Sequence, residues 1–206
     1  MTKPKIAVID TGCANLSSVV VALRKLDVDP VVTASADEIR AADRLILPGV
    51  GTACAAMEKI RERKLEELIV NARQPLLGIC LGMQLLCASS SESALGEARQ
   101  IPCLNVVEGT VSHMAQGDLR LPHMGWDQIE IMQDHPLFAG IPSGTYFYFV
   151  HSYAMNISPA TAAACTYGSR FTAVAVQGNF MGTQFHPEKS GAAGARLLKN
   201  FTEMQL

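Results

Sequence analysis

The chain carries no excess of charge: 17 Lys and Arg stand against 19 Asp and Glu, a formal −2. That balance gives no broad basic face of the kind that nucleic acid or an anionic membrane surface requires. No apolar run reaches the roughly 20 residues of a spanning helix. The six cysteines, at 13, 54, 80, 87, 103 and 165, form no Cys-x-x-Cys pair and no zinc spacing, and there is a single tryptophan. No Walker or Rossmann fingerprint is present, so no nucleotide cofactor is expected. Internal repeats, linkers and low-complexity tracts are also missing. Residues 1–6 pass straight into strand-like sequence, with no signal-peptide apolar region. Free thiols in such a chain point to a reducing cytoplasm.

What is there is a chain of 206 residues with 49% hydrophobic content, a length that suits one domain over 1–206. Its first half alternates strand and helix signals. Ile6-Ala7-Val8-Ile9 reads as a buried strand, and Leu16, Val19, Val20 and Leu23 then fall on one helix face. Further strands are expected at 30–33, 45–47 and 76–79. A short helix is expected near 37–40, and another follows Thr52 with Ala56, Met57, Ile60, Leu65, Leu68 and Ile69 on one face. A helix starts again at Met83. This order predicts an α/β fold with a parallel sheet covered on both faces. After the serine-rich loop at 89–93, mostly strands are expected: 105–111, 128–131, 145–150, 162–166, 173–176 and 181–185. Ser190 would cap a last helix with Ala193, Leu197, Leu198 and Phe201 inward.

Cys80 is the residue that points to chemistry. It stands in Gly78-Ile79-Cys80-Leu81-Gly82, directly after an apolar strand. Small residues on both sides suit a tight strand-to-helix turn that presents a nucleophile, and the helix start would favour a thiolate. A buried apolar thiol is the ordinary fate of a free cysteine and accounts for the other five, but an elbow exposes its side chain. Far downstream, Gln184-Phe185-His186-Pro187-Glu188 offers a base and a carboxylate to orient it, with Pro187 as a stiff spacer. Alone this is a loop before a helix; together with the elbow it argues for acyl transfer through a cysteine thioester. Cys80, His151, His186 and Glu188 have metal-ligand atoms but not the short spacing of a zinc site, so no metal is expected.

Both Pro48-Gly49-Val50-Gly51 and Cys80 follow consecutive strands, at the end where such sheets bind ligands. The glycine loop reads either as a plain strand-ending turn or as an oxyanion loop, in which its N–H groups and that of Leu81 face developing negative charge. Trp126, in a loop-like His-Met-Gly-Trp stretch, reads either as a core aromatic or as a partner contact. His151-Ser152-Tyr153, at the polar end of a strand, could line the site. The charge run at 58–67 reads as a solvated helix face with pairs four apart.

Gly78-Ile79-Cys80-Leu81-Gly82-Met83-Gln84 with Gln184-Phe185-His186-Pro187-Glu188 resembles the class I (triad) glutamine amidotransferases. Pro48-Gly49-Val50-Gly51-Thr52, Pro122-His123-Met124-Gly125-Trp126, Tyr148-Phe149-Val150-His151-Ser152-Tyr153 and Lys189-Ser190-Gly191 narrow the likeness to the glutaminase subunits of imidazole glycerol phosphate synthases. The likeness covers essentially the whole chain. It implies a flavodoxin-like doubly wound sheet, mostly parallel, with antiparallel strands in the C-terminal half. It implies catalysis by Cys80, His186 and Glu188, oxyanion donors at Val50, Gly51 and Leu81, and glutamine held by Gly51, Gln84, Ser152 and Tyr153. It further implies a heterodimer with a (β/α)8-barrel cyclase of the HisF type, faced by Asn15, Trp126 and Lys189. Ammonia passed to that barrel converts a phosphoribulosyl ribonucleotide (PRFAR) into imidazole glycerol phosphate and AICAR, in histidine biosynthesis.

Two other readings share parts of this pattern. A stand-alone cysteine γ-glutamyl hydrolase would use the same triad with no partner. A non-enzymatic flavodoxin-like module would not need Cys80, although Asp10 lacks the acidic neighbour of a receiver domain and Thr11-Gly12-Cys13 makes a poor flavin-phosphate loop. The resemblance also implies that Val50 and Gly51 do not present their donor until a partner binds its own substrate. The isolated chain should therefore release ammonia from glutamine slowly; full turnover without any partner, in a coupled ammonia assay, would contradict this.

Overall fold

The computed structural model describes residues 4–12, 16–92, 100–115 and 119–205. Strands and helices alternate first: β1 (Ile6–Ile9), α1 (Leu16–Arg24), β2 (Val31–Thr33), α2 (Ala36–Ala41), β3 (Arg44–Gly49), α3 (Ala53–Glu62), α4 (Glu66–Val70), β4 (Leu76–Cys80) and α5 (Leu81–Leu86). Strands then dominate: β5 (Ser89–Ser90), β6 (Ile101–Pro102), β7 (Thr110–His113), β8 (His123–Gln128), β9 (Glu130–Ile131), β10 (Tyr146–His151), β11 (Tyr153–Met155), β12 (Thr161–Tyr167), β13 (Ser169–Gln177) and β14 (Phe180–Thr183). A 3-10 turn at Pro187–Lys189 leads into α6 (Gly191–Glu203).

Eight strands form the main sheet in the order β2-β1-β3-β4-β14-β13-β12-β9. Pairing is parallel from β2 to β14 and antiparallel from there to β9. The expected α/β sheet, parallel in its first half and antiparallel in its second, is therefore present. The chain moves out from β1 to β2 and returns to set β3 on the other side, the switch point of a doubly wound sheet. No described helix is long and apolar enough to cross a membrane.

Both faces of the sheet are covered. Ile6, Val8, Ile46, Leu77 and Ile79 pack with Val19 and Leu23 of α1 and Leu197, Leu198 and Phe201 of α6. Ala7, Ile9, Leu45, Leu47 and Leu76 face the other way, toward Ile39, Met57, Ile60, Leu65 and Ile69. Two buried faces explain why these strands read as unbroken apolar runs. Each fully buried Leu or Ile contributes about 1.5–3 kcal/mol. The end of α6 is tied down by Arg44, whose guanidinium donates to the carbonyls of Thr202 and Met204, acceptors that a helix terminus leaves open.

Several local expectations are corrected. Thr52 does cap α3, accepting from the Ala55 N–H, but the helix after it is two helices. Lys64 adopts φ 57° and breaks it, and Leu65 enters the core from the turn. The ion pairs in this run therefore fall three and five residues apart, Lys59–Glu62 at 2.7 Å and Arg61–Glu66 at 3.2 Å, rather than four. The helix after Cys80 begins at Leu81, not Met83. Residues 105–109 form a loop, with Asn105 at φ 53°. His123-Met124-Gly125-Trp126 is strand rather than loop, because β8 pairs along its whole length with β10. Ser190 does not cap α6 with its side chain: its hydroxyl donates to the His186 carbonyl and accepts from the Tyr148 N–H.

α5 lies against the sheet through glycines. A Cβ on Gly82 would come within 1.8 Å of the Leu47 carbonyl oxygen, and one on Gly78 within 2.7 Å of the Gly82 backbone. Gly82→Ala should lower the unfolding free energy by about 3 kcal/mol. The check is a urea titration, where the midpoint falls while the slope is kept; an unmoved midpoint would mean that the helix stands further off.

Candidate active site

The turn from β4 into α5 places Cys80 at φ 53° and ψ −112°, a conformation that costs a non-glycine residue about 1–3 kcal/mol. The strain persists because α5 is pinned by the close glycine contacts just described. Gly49 pairs in register with Cys80, so the ends of β3 and β4 lie side by side. The chain then turns through Gly51 at φ +93°, where only glycine is comfortable, before α3 begins. Two segments distant by tens of residues thus open on one cleft.

The 3-10 turn after β14 supplies the third side. The His186 N–H donates to the Tyr148 carbonyl at 2.9 Å, and His186 is only 7% exposed. Its Nδ1 lies 2.8 Å from Glu188 Oε1. A carboxylate can only accept, so Nδ1 carries the proton and Nε2 is left unspent on the side of Cys80, whose sulfur donates to the Val150 carbonyl at 3.9 Å. Burial works against the imidazolium, but the hydrogen bonds and charges of Cys80 and Glu188 outweigh it and lift the pKa to about 9. The folded value exceeds that of a free histidine. Protonated His186 therefore stabilises the fold fully below about pH 6.5, and this contribution fades as pH rises through about 9.

The cleft has a volume of about 350 Å³ and is lined by Gly49, Val50, Gly51, Cys80, Leu81, Gln84, Glu92, Pro122, Val150, His151, Ser152, Tyr153, His186 and Lys189. Every residue expected to serve as nucleophile, base, oxyanion donor or glutamine ligand lies there, except Glu188, which stands behind His186. Lys189 is exposed at the rim. Trp126 does not line the cleft; it is 54% exposed, which removes its reading as a core aromatic, and its ring meets Tyr148 edge-on at 6.0 Å. Asn15 lies outside the described residues. An apolar groove of about 510 Å³ between α1 and α6 reaches Glu188 from behind but does not contain Cys80.

Two features escaped the sequence reading. Glu92 reaches the cleft with its Oε2 accepting from the Ala53 N–H at 3.1 Å, and burial raises its carboxyl above the usual range against that hydrogen bond. No spacing marks it, since only the tertiary approach of residues 90–92 to the start of α3 brings it there. Gln84 spends both amide protons inside the protein, on the Tyr153 carbonyl at 2.8 Å and on Gln184 Oε1 at 2.9 Å. It therefore has only its own carbonyl to offer a ligand. Gln84 and Glu92 both line the cleft, and each has an acceptor oxygen to offer a cationic group. His151, by contrast with His186, is held down to about 3 by burial and stays neutral.

The other described cysteines differ from Cys80. All are free, and burial pushes Cys87 up to about 12, Cys103 to about 11 and Cys165 to about 12, so these three stay protonated at neutral pH. No group of three or more His, Cys, Asp or Glu able to hold a metal occurs among the described residues.

A cysteine on a strained strand-to-helix elbow, backed by a His–Glu pair on the same α/β sheet, defines a class, and residues 7–204 match the glutamine amidotransferase class-I family, to which this chain belongs. It is 54% identical over 199 residues to the imidazole glycerol phosphate synthase subunit HisH of Yersinia pseudotuberculosis, covering 97% of this chain and 99% of that protein. The subunit of the same name from Photorhabdus laumondii is 52% identical over 200 residues, covering 97% and 100%. The solved structure of PurLQS from Thermotoga maritima superposes with a TM-score of 0.71 at 18% identity, over 97% of this chain and 98% of that one, a likeness of fold alone.

The His186 environment can be read directly. In an NMR titration its ring proton should change near pH 9, and in Cys80→Ala or Glu188→Gln the transition should move to lower pH, since each change removes a partner that favours the imidazolium. An unshifted transition in Cys80→Ala would mean that ring and sulfur do not interact.

Proposed function

We propose that the chain is the glutaminase subunit of an imidazole glycerol phosphate synthase, acting in histidine biosynthesis and working beside a partner subunit. The observation that carries the reading is one cleft lined by both His186, hydrogen-bonded through Nδ1 to Glu188, and a sulfur held on an elbow. Cys80 attacks the side-chain carbonyl carbon of glutamine. Charge on the carbonyl oxygen is met by the N–H of Leu81, an orphan donor in the first turn of α5, and by an N–H from Val50 or Gly51. His186 gives its Nε2 proton to the amide nitrogen, the C–N bond breaks, and ammonia leaves a γ-glutamyl thioester on Cys80. Water then attacks that carbon, giving its proton to His186; the C–S bond breaks and glutamate departs. Gln84 Oε1 and Glu92 hold the α-ammonium group, while Ser152 and Tyr153 close the far wall.

The cytoplasm suits this chemistry, because free thiols are kept reduced there. Ammonia reacts only as the free base, so it has to reach its acceptor away from bulk water. We assign the acceptor site to a (β/α)8-barrel cyclase of the HisF type that makes imidazole glycerol phosphate and AICAR from PRFAR. Exposed Met124, Trp126 and Val50 at 62%, 54% and 44%, with Lys189 at the rim, support a docking face around the cleft mouth.

Exposure to a glutamine-mimicking electrophile should place one adduct on the Cys80 peptide by mass spectrometry, and excess glutamine should protect it. Labelling of Cys54 instead, or no protection by glutamine, would overturn the assignment.

A further inference from the structure

One backbone oxygen sets the direction of a run of hydrogen bonds that ends on the reacting sulfur. The Tyr153 carbonyl can only accept. It receives the Gln84 Nε2 at 2.8 Å and the His151 Nδ1 at 2.9 Å. Turning the Gln84 amide over would set its oxygen against that carbonyl, so its orientation is decided. Its second proton goes to Gln184 Oε1 at 2.9 Å, which decides Gln184 in turn and leaves Gln184 Nε2 aimed at Cys80 Sγ, 3.7 Å away. On the other side, His151 donates from Nδ1, and its Nε2 lies 3.2 Å from His123 Nδ1. Gln184 is 0% exposed and Gln84 3%, so water does not compete for these bonds.

We propose that Gln184 is a further catalytic residue, a hydrogen-bond donor that holds negative charge on the Cys80 sulfur, its aim set through Gln84 by the Tyr153 carbonyl. The proposal rests on the reading of Cys80 as the nucleophile. His186 is the base and faces the sulfur with a ring nitrogen that must part with its proton during the reaction. Gln184 faces it with an N–H that is never transferred, and so it supports the anion when it forms, both before attack and when glutamate is released. A charge-assisted hydrogen bond of this kind is stronger than a neutral one.

The test is alkylation of Cys80 in the full chain by iodoacetamide across a range of pH, read on the Cys80 peptide by mass spectrometry, for wild type, Gln184→Met and Gln84→Met. Thermal unfolding of each variant checks its fold. Removing the donor should slow alkylation by about three- to tenfold relative to wild type, because the attacking sulfur loses a hydrogen bond that supports its charge. Gln84→Met keeps the donor but loosens its aim, and should give a smaller change in the same direction. A second measurement needs no variant of Gln184. In isotopically labelled protein the Gln184 side-chain amide proton should carry a hydrogen-bond shift from its sulfur partner that vanishes in Cys80→Ala. Alkylation profiles of Gln184→Met that superpose on wild type, or an amide signal indifferent to Cys80→Ala, would overturn the proposal alone. A Cys80 that resists alkylation at every pH would instead remove the nucleophile reading on which it stands.

Discussion

The approach of α5 to the sheet is the constraint on which the rest depends. Gly82 lies so close to the Leu47 carbonyl, and Gly78 so close to Gly82, that no side chain fits at either position. That contact ends β4 abruptly and forces Cys80 into a left-handed backbone. The sulfur then stands above the sheet, beside the end of β3 and within reach of a ring carried by the turn after β14. A helix one side chain further away would remove the contact that holds the turn in this conformation.

Two histidines of the same cleft show how environment divides roles. His186 is buried, yet a sulfur on one side and a carboxylate on the other keep it protonated to about pH 9. His151 is also buried, but its neighbours are a carbonyl and two other histidines, and it is neutral down to about pH 3. The first is equipped to hold and release a proton. The second is equipped to donate from one nitrogen and accept at the other without changing charge, which suits a member of a fixed hydrogen-bond chain. Carboxylates divide similarly: Glu188 is spent on orienting His186, while Glu92 faces the cleft near Gln84.

The parallel half of the fold was legible because buried strands and amphipathic helices leave strong apolar patterns, as at Ile6–Ile9 and Leu16–Arg24. The helix after Thr52 was over-extended because its apolar spacing continues past Lys64, and periodicity does not register a single residue at positive φ. His123–Gln128 reads as a loop because Gly125 stands beside the lone tryptophan; only the pairing with β10 makes it a strand. In the cleft, Cys80, His186 and Glu188 announce themselves through glycine and proline neighbours. Glu92 and Gln184 do not, since what matters about them is which atoms they meet across the fold.

The chain of amino acids determined by itself the elements that chemistry needs: a cysteine between glycines after an apolar strand, a His-Pro-Glu turn, a glycine loop after the neighbouring strand, and near-neutral charge. These are local, because turns, strands and nucleophile elbows are set by residues within a few positions of one another. Only the tertiary structure decided which amide protons are already spent, which histidine is charged, and which acidic side chain enters the cleft. Those outcomes depend on burial and on partners tens of residues away, and a hydrogen bond acquires its direction only when the atom at its far end is known.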